Sequence, residues 1–298
     1  MAEFTGNANG SGASGLRSGP SGGSGPGCRS PLSEALSVMS GTIRLSSHEV
    51  YYEAVGEGEP LILVHSGMGS VREWDFVRPL LWDRFALIAY DRSGIGRSTG
   101  VPFQPDIVEG GAEELEEVLD HLGIREASIF GSCVGGAIAL VMASRFPGRI
   151  RSIISSDALF HGDEGLKRRL QTMLRPWDGM PPPFRETLAR LQGHAEPRDF
   201  YETFRSMYGS DESDAGYASS PSYDIRDRLS KVACPVRFVH GDRDPFWGVE
   251  QPAAVYRTVR KGSLHVVPEC AHYPHLEYPE EMAAMATRFL ADEVSHTR

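Results

Sequence analysis

The sequence of 298 residues has few cysteines and no long apolar run. Its four cysteines, Cys28, Cys133, Cys234 and Cys270, show neither CxxC spacing nor the density of a disulfide framework, which argues against a disulfide scaffold and favours a reducing, cytoplasmic setting. No apolar run approaches the roughly 18 residues of a membrane span, and the N-terminus lacks the apolar segment of a signal peptide. We therefore expect a cytoplasmic protein that does not associate with a membrane.

Positive charge is also scarce. The 30 Lys and Arg residues are outnumbered by 40 Asp and Glu, which gives a net charge of -10. Because phosphate binding needs a basic face, this balance argues against nucleic acid as a partner. Much of the acid is concentrated in GAEELEEVLDHLG (111–123), which is typical of the solvated face of a helix.

Two different compositions divide the chain. The first 38 residues are dominated by Gly, Ser, Asn and Pro and bury too little apolar surface to offset their ordering entropy, so we predict a disordered tail over 1–38. Beyond it, short apolar stretches such as LILVH (61–65) and FALIAY (85–90) alternate with amphipathic ones. This alternation predicts an α/β fold with a mostly parallel central sheet and helices on both faces.

Residues 159–229 interrupt the alternation, because they contain no clear strand and their helical patterns are broken by Pro and Gly. An insertion between two core strands would lie over the carboxyl ends of the sheet, where open α/β folds bind ligands. We therefore predict a helical lid over 159–229, inserted into a core formed by 39–158 and 230–298. A second packed helical layer, unrelated to access, is the alternative.

The segment FGSCVGGAIAL (130–140) has the spacing of a nucleophile elbow. Such a strained turn between strand and helix requires very small residues two positions before and after the nucleophile. Centred on Cys133, both flanking positions are glycine; centred on Ser132, they are a phenylalanine and a valine, which are too bulky. Sterics therefore favour Cys133 as the nucleophile, with the Ser132 side chain directed elsewhere. The alternative is a buried structural cysteine at a strand-to-helix turn.

With this elbow, the chain after residue 40 resembles the α/β-hydrolase fold family, whose triad follows the order nucleophile, acid, histidine. In VHGDRDPF (239–246) the resemblance assigns the acid to Asp244, with Asp242 as the alternative. In the later segment ECAHYPHLEYPEEM it assigns the histidine to His272, and we interpret His275 as packing or as capping the following helix. The resemblance thus implies a triad of Cys133, Asp244 and His272.

The segment VHSGMGS (64–70) resembles the oxyanion loop of the family, normally H-G-x-x-G. Ser66 stands where the first glycine is usual. The resemblance implies that the oxyanion hole consists of the backbone N–H groups of Gly67 and Val134. We interpret His65 as an organiser of this loop.

A further segment, YDRSGIGRS (90–98), resembles the loop that supports the nucleophile, and we interpret Asp91 and Arg92 there as structural. No group of His, Cys, Asp or Glu has the spacing of metal ligands. The glycine loops match neither the phosphate-binding nor the dinucleotide-binding pattern. We therefore expect no metal and no cofactor.

The substrate pocket is predicted between the elbow and the lid. The arginines of the predicted lid are explained equally well by binding of an anionic substrate and by a position on a solvated helix face. The residues that we expect to line the pocket are Ser66, Met68, Trp74, Ser132, Trp177 and Trp247.

A cysteine at the elbow widens the range of reactions. The motif G-x-C-x-G-G resembles that of polyester synthases, a subgroup of the same fold family. This chain lacks the extra length of those synthases, which argues against that identity. We favour hydrolysis of a small-molecule ester, lactone or thioester through an acyl-Cys133 intermediate. Transfer of the acyl group to another acceptor, an elimination with His272 as base, and a non-catalytic ligand receptor remain alternatives, and the oligomeric state is open.

Overall fold

The computed structural model describes residues 38–100, 107–162, 177–179, 182, 185–186, 198, 223–244 and 246–295. The predicted tail, apart from residue 38, and most of the predicted lid lie outside the described residues. Their assignments therefore stay predictions.

Eight strands form one sheet in the order β1-β2-β4-β3-β5-β6-β7-β8. Strand β2 pairs antiparallel with β1 and β4, whereas the pairs from β4 onward are parallel. The mostly parallel sheet predicted from the alternating pattern is confirmed. The strands are β1 Met39–Arg44, β2 Glu49–Val55, β3 Glu59–Val64, β4 Phe85–Tyr90, β5 Ala127–Ser132, β6 Ile150–Ser156, β7 Val236–Gly241 and β8 Gly262–Val267.

Helices lie on both faces of this sheet, as predicted. Apolar residues of α1 and α2 pack on one face of the sheet, and those of α5 pack on the other. The α-helices are α1 Ile107–His121, α2 Val134–Arg145, α3 Glu250–Val255, α4 Pro274–Glu277 and α5 Pro279–Ser295. Short 3₁₀ helices comprise Val71–Trp74, Arg78–Leu80, Trp177–Gly179, Arg226–Lys231 and Tyr256–Thr258.

The central strand β3 shows why both faces must be covered. Its residues alternate between the two cores, with Ile62 and Val64 in the core beneath α1 and α2 and Leu61 and Leu63 in the core beneath α5. All four are completely buried, as expected for a strand in the middle of a parallel sheet.

Helix α2 is buried around its whole circumference from Val134 to Ala143. Its alanines and glycines let it lie close to the sheet, and an apolar helix without a polar face belongs in the interior. The N-terminus of α2, and therefore the elbow before it, is held by the core. In the part of the chain described above, no helix combines the length and the apolar character needed to cross a bilayer.

Candidate active site

Cys133 lies at the junction of β5 and α2 with φ 51° and ψ -116°, a conformation that a non-glycine residue rarely adopts. A Cβ added at Gly131 would collide with the carbonyl of Gly135, and one added at Gly135 would collide with the carbonyl of Val64. The glycines on either side of Cys133 are therefore required by the close approach of the helix to the strands. Ser132 precedes the turn as the last residue of β5 and is completely buried.

The side chain of Cys133 is 5% exposed and packs in an apolar cluster with Leu159, Phe246 and Trp247. Tyr223 packs against this cluster and is partly exposed. The backbone N–H of Cys133 donates to Ser156 at 2.8 Å, which ties the elbow to the neighbouring strand β6. The thiol thus faces a small apolar surface at the carboxyl end of the sheet.

His272 and Asp244 form a buried pair beside Cys133. The Nδ1 atom of His272 lies 2.7 Å from Oδ2 of Asp244, and because a carboxylate only accepts, Nδ1 carries the proton. The other oxygen of Asp244 accepts the N–H groups of Phe246 at 2.7 Å and Trp247 at 3.4 Å. The predicted acid and histidine are therefore brought together, and the exposed Asp242 is not the partner of the imidazole.

The charges around His272 favour its protonated form. Burial by itself lowers the pKa of His272, but the negative charges of Asp244 and Cys133, with hydrogen bonds to both, outweigh it and raise the pKa well above its ordinary value. For Asp244, burial raises the pKa, yet the charge and hydrogen bond of His272 prevail and lower it. The imidazole is therefore hydrogen-bonded to the carboxylate of Asp244 and interacts electrostatically with Cys133.

Glu277 supports the backbone on both sides of His272. Its Oε2 accepts the N–H of Ala271 at 3.0 Å, and its Oε1 accepts the N–H of Tyr273 at 3.3 Å. The ring of His272 also packs against Phe246, with 4.4 Å between ring centroids. These contacts fix the position of the imidazole independently of Asp244.

A second acid and imidazole, which the sequence did not predict, lie beneath Asp244. Asp157 follows β6 with φ 46°, and its Oδ1 lies 3.1 Å from Nδ1 of His240 and accepts the N–H of Gly241 at 3.0 Å. His240 Nδ1 is 4.0 Å from Oδ2 of Asp244. Burial raises the pKa of Asp157 despite the hydrogen bond from His240.

The grouping of Asp157, His240 and Asp244 places potential ligand atoms within 4.8 Å of one another. Spacing along the sequence gave no sign of it, because Asp157 follows β6 whereas His240 lies in β7 and Asp244 follows it. The available signal was that β6 and β7 both end in polar residues, and the carboxyl ends of parallel strands meet at one edge of a sheet. Each of the three side chains has a protein partner, so the grouping is accounted for as a hydrogen-bonded network.

The loop after β3 is held in place by His65 and Arg92. His65 Nδ1 donates to the carbonyl of Ser66 at 2.7 Å and its Nε2 accepts the N–H of Arg92 at 3.0 Å. The Arg92 guanidinium donates to the same carbonyl at 2.8 Å. Burial, with the nearby Arg92 charge, lowers the pKa of His65 to about 3, so this imidazole is neutral. These contacts are those of a loop organiser, as we interpreted His65.

The predicted oxyanion-hole donors lie on two different segments, Gly67 in the loop after β3 and Val134 at the start of α2. Among the described residues, neither the N–H of Gly67 nor that of Val134 donates to a protein acceptor. Val134 follows Cys133 directly, and the tight packing of Gly135 against the carbonyls of Val64 and His65 brings the loop up to the elbow. The loop is also fixed through Asp91, whose carboxylate accepts the N–H groups of Val71 at 2.7 Å and Arg97 at 2.9 Å.

The predicted pocket residues occupy three kinds of position. Trp247 contacts the Cys133 cluster, and Met68, in the oxyanion loop, is partly exposed. Ser66, Trp74 and Ser132 are instead completely buried, so they support the site from beneath and do not form its open surface. Trp177 is buried in a short 3₁₀ helix within the predicted lid. Leu159 and Phe246, which line the thiol, were missed because apolar residues after strands carry no distinctive pattern.

Beneath the loop, a buried glutamate that the sequence analysis missed connects two parts of the site. The Oγ of Ser66 donates to Oε2 of Glu73 at 2.8 Å, and Oε1 of Glu73 lies 2.9 Å from Nε2 of His275. His275 stacks on Trp74 with 4.8 Å between centroids. Of the two interpretations of His275, buried packing agrees with this position.

A strand–elbow–helix unit at the centre of a mostly parallel sheet, with histidine and acid following later in the chain, is the framework of α/β-hydrolase enzymes. Residues 61–285 match the model of the Alpha/beta hydrolase family. The chain belongs to this family.

Curated relatives of the chain are hydrolases and esterases. Serine hydrolase BPHL of Mus musculus is 27% identical over 259 residues, which cover 85% of this chain and 87% of the relative. The 2-hydroxy-6-oxo-2,4-heptadienoate hydrolase of Pseudomonas putida is 28% identical over 278 residues, 86% of this chain and 96% of the relative. The pimeloyl-[acyl-carrier protein] methyl ester esterase of Nitrosospira multiformis is 26% identical over 258 residues, 80% and 97% of the two chains.

Solved structures share the fold. A meta-cleavage product hydrolase from Pseudomonas fluorescens superposes with a TM-score of 0.66 at 20% identity and covers 85% of this chain and 97% of its own. A thermophilic esterase from Thermogutta terrifontis superposes with a TM-score of 0.67 at 22% identity, covering 86% and 99%. The predicted α/β-hydrolase fold is confirmed.

Proposed function

We propose that the protein is a cofactor-independent hydrolase that acts on an ester, lactone or thioester of a small molecule through an acyl-cysteine intermediate. The observation that carries this proposal is the position of His272, which is hydrogen-bonded to Asp244 and whose pKa is raised by the charges of Asp244 and Cys133. Cys133 occupies the strained elbow position. A thiolate is the nucleophilic form of cysteine, and it is stabilised by an adjacent imidazolium and by a helix N-terminus.

In the first half of the reaction, the Cys133 thiolate attacks the carbonyl carbon and the π electrons move to the carbonyl oxygen. The N–H groups of Gly67 and Val134 donate to this oxyanion, and each such donor is worth about 3 to 4 kcal/mol. The imidazolium of His272 then gives its proton to the departing alkoxide or thiolate. The products are a thioester on Cys133 and a free alcohol or thiol.

In the second half, neutral His272 removes a proton from water, and the resulting hydroxide attacks the thioester. The same two N–H groups hold the second oxyanion. Collapse releases a carboxylic acid and returns the thiolate, which is again paired with protonated His272. Asp244 keeps the proton of the imidazole on Nδ1 in both halves and stabilises its positive charge.

The names of the relatives support hydrolysis, since they include an ester hydrolase and a hydrolase of a 2-hydroxy-6-oxo-dienoate. One relative is named a serine hydrolase, whereas this chain has a cysteine at the elbow. The change replaces an ester intermediate by a thioester, which also reacts readily with thiols and amines.

A second candidate function is transfer of the acyl group to an acceptor other than water. The apolar cluster of Leu159, Phe246 and Trp247 around Cys133 favours it, because such a surface excludes water and accepts an apolar alcohol or amine. The two candidates share every residue of the triad and differ only in the second half-reaction.

The proposal is tested by trapping the intermediate. The protein is mixed with p-nitrophenyl butyrate, or with the thioester S-butyryl-N-acetylcysteamine, and its intact mass is measured within seconds. We expect one butyryl adduct that is absent from Cys133→Ala and retained in the control Cys234→Ala. Undiminished turnover by Cys133→Ala would contradict an acyl-cysteine mechanism.

Adding acceptors distinguishes the two candidates. Butanol, butylamine or a simple thiol is added to the ester assay, and the products are separated by mass. Butyrate as the sole acyl product supports the hydrolase. Accumulation of the butyryl ester, amide or thioester of the added acceptor supports the transferase.

A further inference from the structure

Glu73 and His275, which are 202 positions apart in the chain, are joined by a hydrogen bond inside the protein. Glu73 Oε1 lies 2.9 Å from His275 Nε2, and both side chains are completely buried. Glu73 belongs to the 3₁₀ helix that follows the oxyanion loop, and His275 lies in α4, three residues after His272. Because burying a charge without a partner is costly, this pair is under strong constraint to stay together.

The second oxygen of Glu73 binds the oxyanion loop. Its Oε2 accepts the backbone N–H of Ser66 at 2.9 Å and the Ser66 hydroxyl at 2.8 Å. A Cβ added at Gly69 would collide with this oxygen, so the carboxylate fills the inside of the turn that the loop makes. Ser66 immediately precedes Gly67, and the contact with Glu73 gives a physical role to the serine that replaces the usual glycine.

His275 is itself held rigidly. Its ring stacks on Trp74 at 4.8 Å and lies 6.1 Å from the rings of Phe130 and Tyr273. Burial raises the pKa of Glu73, but the hydrogen bond and charge of His275, together with the Ser66 N–H, lower it. The carboxylate is therefore ionised and accepts from both sides.

We propose that Glu73 is a positioning residue, which is anchored by His275 and holds the oxyanion loop so that the Gly67 N–H is set relative to Cys133. The inference rests on the proposed acyl chemistry, because only a developing oxyanion needs the Gly67 N–H in place. Neither Glu73 nor His275 touches the reacting atoms.

Two reactions of Cys133 separate this role from a general structural one. Acylation by p-nitrophenyl butyrate needs the oxyanion hole, whereas alkylation by iodoacetamide is a displacement at an sp³ carbon that needs only the thiolate and His272. We expect Glu73→Ala to lower the single-turnover acylation rate about 100-fold, the effect of losing one oxyanion donor, and to change the alkylation rate less than about threefold, since no oxyanion forms in that reaction.

Glu73→Gln is the conservative variant. Its amide oxygen can accept both groups of Ser66 while its NH₂ donates to His275, so we expect it to recover most of the acylation rate. Ser66→Ala keeps the fold and removes one of the two hydrogen bonds between Glu73 and the loop; a loss of about fivefold in acylation follows from the usual worth of one hydrogen bond. Glu53→Ala is the matched control, because it breaks another buried carboxylate pair, the one between Glu53 and Arg78 at 2.6 Å. Neither member of that pair bonds to the oxyanion loop.

Equal losses in acylation and alkylation, or none in either, would overturn the role of Glu73. A wild-type protein that is never acylated would instead overturn the proposed function. In that case, the amide NMR signal of Gly67 still tests the positioning: it should shift in Glu73→Ala and Ser66→Ala but not in Glu53→Ala. An unchanged Gly67 signal in the first two variants contradicts the inference.

Discussion

His272 and Asp244 are joined by a 2.7 Å contact between Nδ1 and Oδ2, and the carboxylate of Asp244 has no exposed surface. The other carboxylate oxygen is held by the N–H of Phe246. The acid therefore has a fixed orientation, in which it can only accept the Nδ1 proton. This arrangement leaves Nε2 as the nitrogen of His272 that is not bonded to Asp244, and in the proposed reaction it is the atom that exchanges protons.

Asp244→Asn should reduce kcat for ester hydrolysis on the order of 10⁴-fold, the loss known for the acid in serine protease triads. The amide has nearly the volume of the carboxylate, so the fold should persist, but its NH₂ can donate to Nδ1 and select the wrong tautomer. Asp242→Asn, at the exposed neighbouring acid, is the control and should leave kcat unchanged. A loss confined to Asp242→Asn would reverse the assignment of the acid.

Cys133 should be alkylated by iodoacetamide faster than the other described cysteines. None of the three described cysteines forms a disulfide. Burial, together with the charge of Glu277, raises the pKa of Cys270, whereas the charge of Cys133 interacts with His272. Peptide mapping after limited alkylation at pH 7, in a Cys28→Ser background, should give the first label on Cys133. His272→Ala should slow this label, and slow, equal labelling of the three thiols would contradict an activated Cys133.

The contribution of His65 to the stability of the protein should fall as the pH drops below about 6.5. Its pKa is about 3 in the folded state and about 6.5 in the unfolded chain, so the unfolded state binds the extra proton in the interval between them. The stabilisation is complete above pH 6.5 and is lost progressively towards pH 3, amounting to about 2 kcal/mol between pH 7 and pH 5.

This loss has a structural reason, since a proton on Nε2 of His65 would remove the acceptor for the N–H of Arg92. Urea unfolding of the wild type and of His65→Gln at pH 7 and pH 5 measures it. His65→Gln should be less stable at pH 7 and should lose about 2 kcal/mol less on acidification. Parallel losses in the two proteins would show that His65 does not titrate in this way.

Gly135→Ala should destabilise the protein by about 1 to 3 kcal/mol, the usual cost of overpacking. The added Cβ would collide with the backbone carbonyls of Val64 and His65, which cannot move without shifting the oxyanion loop, so ester hydrolysis should fall as well. Gly110→Ala in α1 is the control, because nothing lies within 4 Å of its added Cβ.

Thermal unfolding of the two glycine variants checks this expectation. Alanine has the higher helix propensity, and Gly110→Ala should therefore stabilise by up to about 1 kcal/mol. If both substitutions stabilise, the elbow is looser than the contacts of Gly135 imply.

The local elements were largely predictable from the sequence. The apolar run FALIAY coincides with β4, Phe85–Tyr90, and the alanine-rich stretch after the elbow coincides with α2, Val134–Arg145. Both depend on contacts between residues close in the chain and on burial of apolar faces, which leave a periodic pattern. The elbow was predictable for the same reason, since its steric requirement is confined to five consecutive positions.

The support of the site was not predictable in this way. Glu73, Asp157 and His240 carry no motif, because each acquires its partner from another strand or helix. Ser66 and Trp74 were expected in the pocket but lie beneath it. The direction of these two side chains depends on which face of the loop packs against α4. That packing joins segments far apart in the chain, so no local sequence pattern reveals it.

The sequence by itself determined the mostly parallel sheet, the strained turn and the choice of Cys133 over Ser132 at its centre, because these follow from side-chain size and from the alternation of apolar residues. Tertiary structure alone decided what surrounds the thiol. It brought the carboxylate of Asp244 to His272 and the carboxylate of Glu73 between Ser66 and His275. The physical reason is that buried charges must find partners, and the fold places those partners far apart in the chain but close together at one edge of the sheet.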